Sequence, residues 1–186
     1  GDIKYKDLNH DGVIDSNDQA PIGYNPVPEM TFSLAAGLNW KGIDFSILLQ
    51  GAARSSIYLQ QDIAWDNFWG NYYEEHIGRW TPETAATATY PRFTKAATAA
   101  HPNYYKSDYW LKDSKYLRLK NIQLGYTIPR KLLKKFGVRS LRVYANAYNL
   151  FTWDNVKKVD PESSNNSNGQ FYPQQKVINF GINLNF

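Results

Sequence analysis

The sequence predicts an all-β chain of antiparallel strands with the lengths and faces of a transmembrane barrel. Three observations carry that expectation. In the last eleven residues, Lys176 to Phe186, Ile178, Phe180, Ile182, Leu184 and Phe186 fall on one face, while Asn179, Gly181, Asn183 and Asn185 fall on the other. Such period-two alternation marks a strand with one apolar and one polar face. Two further alternating runs, 31–40 and 43–52, are joined by the minimal turn Lys41-Gly42. Each is about ten residues long, which a tilted strand needs to cross a bilayer. The third observation is that long and short connections follow one another in turn, as they do in outer-membrane barrels.

Composition agrees with this class and removes others. The chain has 186 residues and no cysteine, so disulfide frameworks and thiolate metal sites are excluded. No apolar run approaches the ~20 residues of a membrane helix. The mean hydropathy of -0.57 does not argue against a barrel, because alternate residues face a polar lumen and the loops are hydrophilic. Aromatic residues make up 16%, which favours strands and interfacial girdles. The densest basic cluster is Arg130, Lys131, Lys134, Lys135, Arg139 and Arg142, with a net charge of only +4. A solvated basic turn is expected there, and no nucleic-acid partner. Beginning at Gly1 without a leader, the sequence reads as a mature or excised piece.

Taken in order, residues 1–30 carry the one chemical motif. Asp7, Asn9 and Asp11 fall at positions 1, 3 and 5 of an EF-hand-type loop, Gly12 at position 6, Val13 at 7 with its carbonyl, Asp15 at 9 and Asp18 at 12. Hard Ca²⁺ prefers such an all-oxygen shell. Asp18 stands where Glu is usual, and the flanks cannot form paired helices, so a structural calcium loop is expected rather than a sensor. The alternative is an Asx-rich turn that needs no ion.

From residue 31 the chain reads as strands. Phe32, Leu34, Ala36, Leu38 and Trp40 share one face of the first run, and Ile43, Phe45, Ile47 and Leu49 share one face of the second. Residues 53–114 form a long insertion rich in aromatics, with a short helix expected over 63–77. Strand character resumes over 115–126, where a slip of phase at Lys120-Asn121 predicts a bulge. A short basic helical turn follows over 129–136. A strand over 140–151 places Arg142, Tyr144, Asn146 and Tyr148 on its polar face. The polar loop 152–175 leads to the final strand.

Alternation alone fits a soluble sandwich as well as a barrel, so the connections decide. Loops 53–114 and 152–175 are expected outside the cell together with residues 1–30, and turns 41–42 and 127–139 on the periplasmic side. Trp40, Tyr126, Phe151, Trp153 and Phe186 fall near strand ends, where interfacial girdles form. Five strands cannot close a barrel whose smallest members have about eight. The chain is therefore expected to be part of something larger.

The residues then resemble a known family. The carriers are Gly1-Asp2-Ile3-Lys4-Tyr5 followed by Asp7-Leu8-Asn9-His10-Asp11-Gly12; Tyr116-Leu117-Arg118-Leu119-Lys120-Asn121-Ile122-Gln123-Leu124-Gly125-Tyr126 with Pro129; Asn149-Leu150-Phe151-Thr152-Trp153; Asp160-Pro161-Glu162; Tyr172-Pro173; and Phe180-Gly181-Ile182-Asn183-Leu184-Asn185-Phe186. In this order they resemble the C-terminal end of SusC/RagA-type TonB-dependent outer-membrane transporters of Bacteroidota. The resemblance implies the C-terminal antiparallel strands of a transmembrane β-barrel of about 22 strands with a plug. It also implies import of oligosaccharides or peptides, a SusD-type lipoprotein lid, and TonB acting through the absent N-terminal part. The remaining implied partners are the plug and N-terminal barrel of the same transporter, and lipid or lipopolysaccharide around it.

Candidate substrate or lid contacts are Trp65, Trp69, Tyr72, Trp80, Arg92 and Tyr104, since rings can stack on sugars and a guanidinium can hold an anion. Equally, such rings can form a loop's own core, and Arg92 a surface pair. His10, His76 and His101 are scattered, and no nucleophile, phosphate loop or acid/base pair stands out, so a transporter is expected and not an enzyme. The alternative is a soluble calcium-dependent carbohydrate-binding module; a dockerin-like element would need a second acidic loop and the helices that follow it.

Overall fold

The computed structural model describes residues 1–66, 70, 72–95, 100–156, 159–163 and 172–186. Among the described residues seven strands are formed: β1 Met30–Trp40, β2 Ile43–Ala53, β3 Ser56–Tyr58, β4 Leu111–Asp113, β5 Tyr116–Thr127, β6 Ser140–Asp154 and β7 Val177–Asn185. One short helix, α1 Arg130–Leu133, joins β5 to β6. The chain divides into two compact units, one of Gly1–Pro26, Ser56–Asp113 and Ser163–Phe171, the other of Val27–Ser55, Ser114–Glu162 and Tyr172–Phe186.

The second unit is an antiparallel sheet in the order β1-β2-β5-β6-β7. Its strands begin and end within three residues of the alternating runs. The β1–β2 turn works because Lys41 and Gly42 take φ 48° and 88°. That left-handed pair matches the twist of a two-residue hairpin. Gly42 is also required by space, since a Cβ would lie 2.7 Å from the Thr127 carbonyl oxygen.

The bulge predicted at Lys120 is present. Leu119 pairs with Phe151 and Asn121 with Tyr148, so the register shifts at Lys120, and β2 registers the same shift between Leu48 and Leu49. Asn149 takes φ 51° to accommodate it. Without the extra residue, Leu117 and Leu119 would turn to the face opposite Ile122 and Leu124.

Cross-strand register brings the apolar residues of all five strands to one face. One row runs Leu38, Phe45, Leu124, Ala145, Phe180. The adjacent row runs Trp40, Ile43, Tyr126, Val143, Ile182. This face is bare: Leu34 is 63% exposed, Ile182 70% and Phe180 83%. No helix among the described residues is long and apolar enough to cross a membrane; strands are the crossing elements of a barrel. On the polar face Tyr144 lies directly opposite Gly181, and its ring fills the space a Cβ would take.

The first unit is built from turns and buried rings. Among its described residues a short antiparallel ladder pairs β3 with β4. No α-helix forms over 63–77 among the described residues; 3₁₀ turns occupy Gln61–Ile63 and Glu74–Gly78. Gly70 between them takes φ 78°, a left-handed step that a continuous helix does not tolerate. Residues 1–26 fold with 56–113, a long-range association that alternation cannot reveal.

Candidate functional site

The polar sheet face carries chemistry at both ends. Toward the short turns, Arg142 Nε on β6 donates to Asp44 Oδ2 on β2 across 2.9 Å. Gln123 Nε2 on the intervening β5 donates to Asp44 Oδ1 at 3.5 Å, and the guanidinium stands 4.8 Å from the Tyr144 ring centre. Between β6 and β7, Asn179 donates to Asn146 at 3.0 Å and Asn185 to Ser140 at 2.7 Å. These groups suit a lumen wall, where polar side chains are ordered but not covered.

Toward the long connections the same face holds Arg118. Strand alternation places it there, between Leu117 and Leu119 of the apolar face, and it is only 2% exposed. A buried guanidinium must satisfy its donors. Nη2 donates to both Asp160 oxygens at 2.8 and 2.9 Å, Nη1 to Glu162, and Nε to Thr152 Oγ1 at 2.9 Å. The Tyr116 ring lies 5.4 Å from the guanidinium carbon, and its hydroxyl donates to Glu162 at 2.6 Å. The backbone N–H groups of Glu162 and Gln174 donate to Asp160 at 3.0 and 3.2 Å. Burial pushes the Asp160 carboxyl up, yet the Glu162 N–H and the Arg118 fork outweigh it, and the group sits below its ordinary value. This clasp fixes the loop segment 160–162 to β5. In the sequence, Asp160 and Glu162 read only as carboxylates flanking Pro161; the signal for their partner was an Arg between two leucines, on the polar phase of the strand.

In the first unit, the acidic loop folds as successive Asx turns. Asp7 accepts from the backbone N–H of His10 at 2.6 Å and of Gly12 at 2.9 Å. Asn9 accepts from Asp11 N–H at 3.0 Å, and Asp11 from Val13 N–H at 2.8 Å. Asp15 accepts from Asn17 N–H at 2.7 Å. Asp18 closes the loop, accepting from Leu8 N–H at 2.6 Å and Asp15 N–H at 2.9 Å. The Asp15 and Leu8 amides hold the Asp18 carboxyl below its ordinary value. Gly12 takes φ 83°, the sharp turn that position 6 requires. No three His, Asp or Glu side chains among the described residues gather around one point for a metal. The oxygens have the right chemistry for Ca²⁺, and here they are directed to their own backbone.

The aromatic candidates separate by exposure. Trp65 and Tyr104 are buried, with ring centres 4.8 Å apart. They pack with Tyr90 and Trp110 around the wholly buried carboxylate of Asp66. Tyr104 donates a short hydrogen bond to Asp66, and Tyr90 another at 3.3 Å; burial pushes both phenols up. Neither Trp65 nor Tyr104 presents a ring face. Trp80 is half-buried beside Gly1, where a Cβ would run into its ring. Tyr72 is 56% exposed, 5.4 Å from Phe93. Arg92 binds Asp2, with Nε to Oδ1 at 2.7 Å, and that hydrogen bond holds the Asp2 carboxyl down. Trp69 lies outside the described residues. His76 and His101 do not meet: His76 contacts the Ala64 carbonyl, and His101 caps Asn103.

Comparison with known proteins gives the geometry a context. No family model matches the chain. TonB-dependent receptor P26 of Formosa agariphila is 30% identical across all of this chain and 20% of its own length. TonB-dependent receptor SusC of Bacteroides thetaiotaomicron is 27% identical across 98% of this chain and 17% of its own. The chain thus spans about a fifth of the curated relatives it matches. Among solved structures, the RagAB peptide transporter superposes with a TM-score of 0.70 at 22% identity, over 92% of this chain and 19% of that one. The RagAB peptide importer in its open-open state gives 0.67 at 21% identity, over 94% of this chain and 19% of that one.

Proposed function

We infer that the chain, similar over its whole length to TonB-dependent receptors, is a portion of the β-barrel of a SusC/RagA-type receptor and forms part of the wall of an outer-membrane nutrient importer. The observation that carries this is the bare apolar face assembled by register across five strands. Its opposite face orders its own ion pairs and amides. A bilayer covers the first face, and a lumen hydrates the second. A soluble calcium-dependent carbohydrate-binding module would leave the apolar face open to water, at a size that soluble proteins avoid.

In this proposal the long connections reach the cell exterior and the turns at 41–42 and 127–139 face the periplasm. The edges β1 and β7 pair with strands supplied by the rest of the same polypeptide, which also supplies the plug and the TonB contact. A SusD-type lipoprotein closes over the exterior side. Oligosaccharides or peptides are the cargo; the likeness to RagAB, a peptide importer, supports peptides. The function is transport, with no chemical step. Peptide mapping of outer-membrane fractions tests the proposal. Peptides of this chain should be found within a polypeptide about five times as long that requires detergent for extraction. A free, monodisperse 21.4 kDa protein in detergent-free buffer would contradict it.

Calcium is proposed as a structural ion for residues 7–18, supported by the oxygen donors of Asp7, Asn9, Asp11, Val13, Asp15 and Asp18 and by the turn at Gly12. Binding would redirect the carboxylates from backbone amides to the ion. Asp11→Ala should abolish calcium protection of residues 1–25 against protease and leave the sheet folded. Equal cleavage with calcium and with chelator in the wild type would rule the ion out.

A further inference from the structure

The β5–β6 turn is built unlike the other short turn. Between Thr127 and Arg139 the sequence holds Arg130, Lys131, Lys134, Lys135 and Arg139 and no Asp or Glu. All five cations are exposed, and none forms an ion pair among the described residues. Helix α1 and the 3₁₀ turn Lys134–Phe136 continue one another until Gly137 ends them at φ 67°. Within this segment Leu133 is buried, whereas Leu132 is 64% and Phe136 76% exposed. Residues four apart on a helical turn share a face, so Leu132 and Phe136 form one apolar stripe with Lys131 and Lys135 as the neighbouring row.

A solvated turn accounts for the lysines but not for the exposed Leu and Phe. A nucleic acid would account for the lysines alone. An amphipathic basic segment with bare apolar residues is the pattern of a helix lying at a membrane surface. Continuity with the sheet fixes which surface. The segment joins β5 and β6 at the ends where Tyr126 and Val143 are exposed on the apolar face. At the adjacent β1–β2 turn, Lys41 stands 4.8 Å from the Trp40 ring centre, another aromatic and cation at the same border. The acid on this end of the polar face, Asp44, is already neutralised by Arg142.

We propose that Leu132 and Phe136 insert at the border of the apolar face while Lys131, Lys134 and Lys135 bind the phosphate of an anionic phospholipid in the periplasmic leaflet. The site rests on the barrel proposal above and adds a ligand class to it: a phosphodiester headgroup on a diacyl lipid. Lysine suits the role because its long stem lies along apolar surface while the ammonium reaches the headgroup. Each lysine close to an anionic surface contributes about a fivefold preference, the equivalent of ~1 kcal/mol.

The test uses the full-length receptor in nanodiscs of phosphatidylethanolamine and phosphatidylglycerol. Spin-labelled forms of each lipid report the motionally restricted fraction. The wild type should hold phosphatidylglycerol at least fivefold over phosphatidylethanolamine. Lys131→Gln/Lys134→Gln/Lys135→Gln should cut the preference at least fivefold, and the corresponding triple Arg variant should keep it. Leu132→Ser/Phe136→Ser should reduce it severalfold while the barrel stays heat-modifiable. No preference in the wild type, an unchanged preference in the Gln variant, or displacement by millimolar inorganic phosphate or by lipopolysaccharide would overturn the proposal. A wild-type receptor that is not a heat-modifiable membrane barrel would remove it together with the barrel proposal, and that control is read before any lipid is added.

Discussion

Arg118→Ala will release residues 160–162 from the sheet and destabilise the receptor by about 3 kcal/mol. Removing one partner of a buried ion pair costs ~3–5 kcal/mol, because the other charges lose their partner without regaining water. The lower end applies here, since Glu162 keeps a quarter of its side chain in solvent and can rehydrate. Three contacts vanish together: the fork on Asp160, the bond to Glu162 and the bond to Thr152. Arg118→Lys keeps the charge but not the planar fork, so it should fall between wild type and Ala. Limited proteolysis reads the result as new cleavage within 159–163, and urea unfolding reads its cost. The same clasp has a defined pH response. The folded Asp160 carboxyl lies below its ordinary value near 3.8. Its contribution is therefore complete above that value and is lost as pH falls through the lower, folded value. Cleavage at 159–163 should stay slow down to about pH 4 and accelerate only below it. Acceleration between pH 7 and 5 would contradict this account of the clasp.

Ile182→Lys carries the second large effect. Ile182 lies within β7, 70% exposed and opposite Val143 on the apolar face. A lysine facing lipid costs ~2–4 kcal/mol near the midplane and less toward the border, so at Ile182, which pairs with Val143, the expected cost is about 2 kcal/mol. The variant should lose most of its heat-modifiable band in outer-membrane fractions. Asn183→Lys, one residue on, turns to the polar face and should assemble within a few tenths of a kcal/mol of wild type. The pair separates a facing effect from a general effect of charge. Equal assembly of the two variants would contradict the assigned phase.

Much of the sheet was legible because alternation is local information. Each strand states its own two faces, and even the bulge at Lys120 shows as a slip in the Leu117, Leu119, Ile122, Leu124 sequence. The Lys41-Gly42 turn was legible for the same reason, since its chemistry fits within two residues. The Arg118 clasp was not, because its partners lie 42 and 44 residues away and Asp160-Pro161-Glu162 looks like any polar loop. The insertion was least legible. Trp65, Tyr90, Tyr104 and Trp110 have no periodic spacing, so nothing in the sequence separates a ring that packs around Asp66 from one that offers a face to a ligand. Glycine at position 70 could have argued against a helix over 63–77, since its left-handed step interrupts the run.

The most direct measurement of the central claim is a nitroxide scan of β7. Single labels at 178 through 184 are introduced in the full-length receptor, reconstituted in lipid, and the accessibility of each to oxygen and to an aqueous nickel complex is recorded. Oxygen concentrates in the hydrocarbon, so the account predicts maxima at 178, 180, 182 and 184, with minima at 179, 181 and 183. A flat profile, or aqueous accessibility at the even positions, would contradict a strand whose apolar face meets the bilayer.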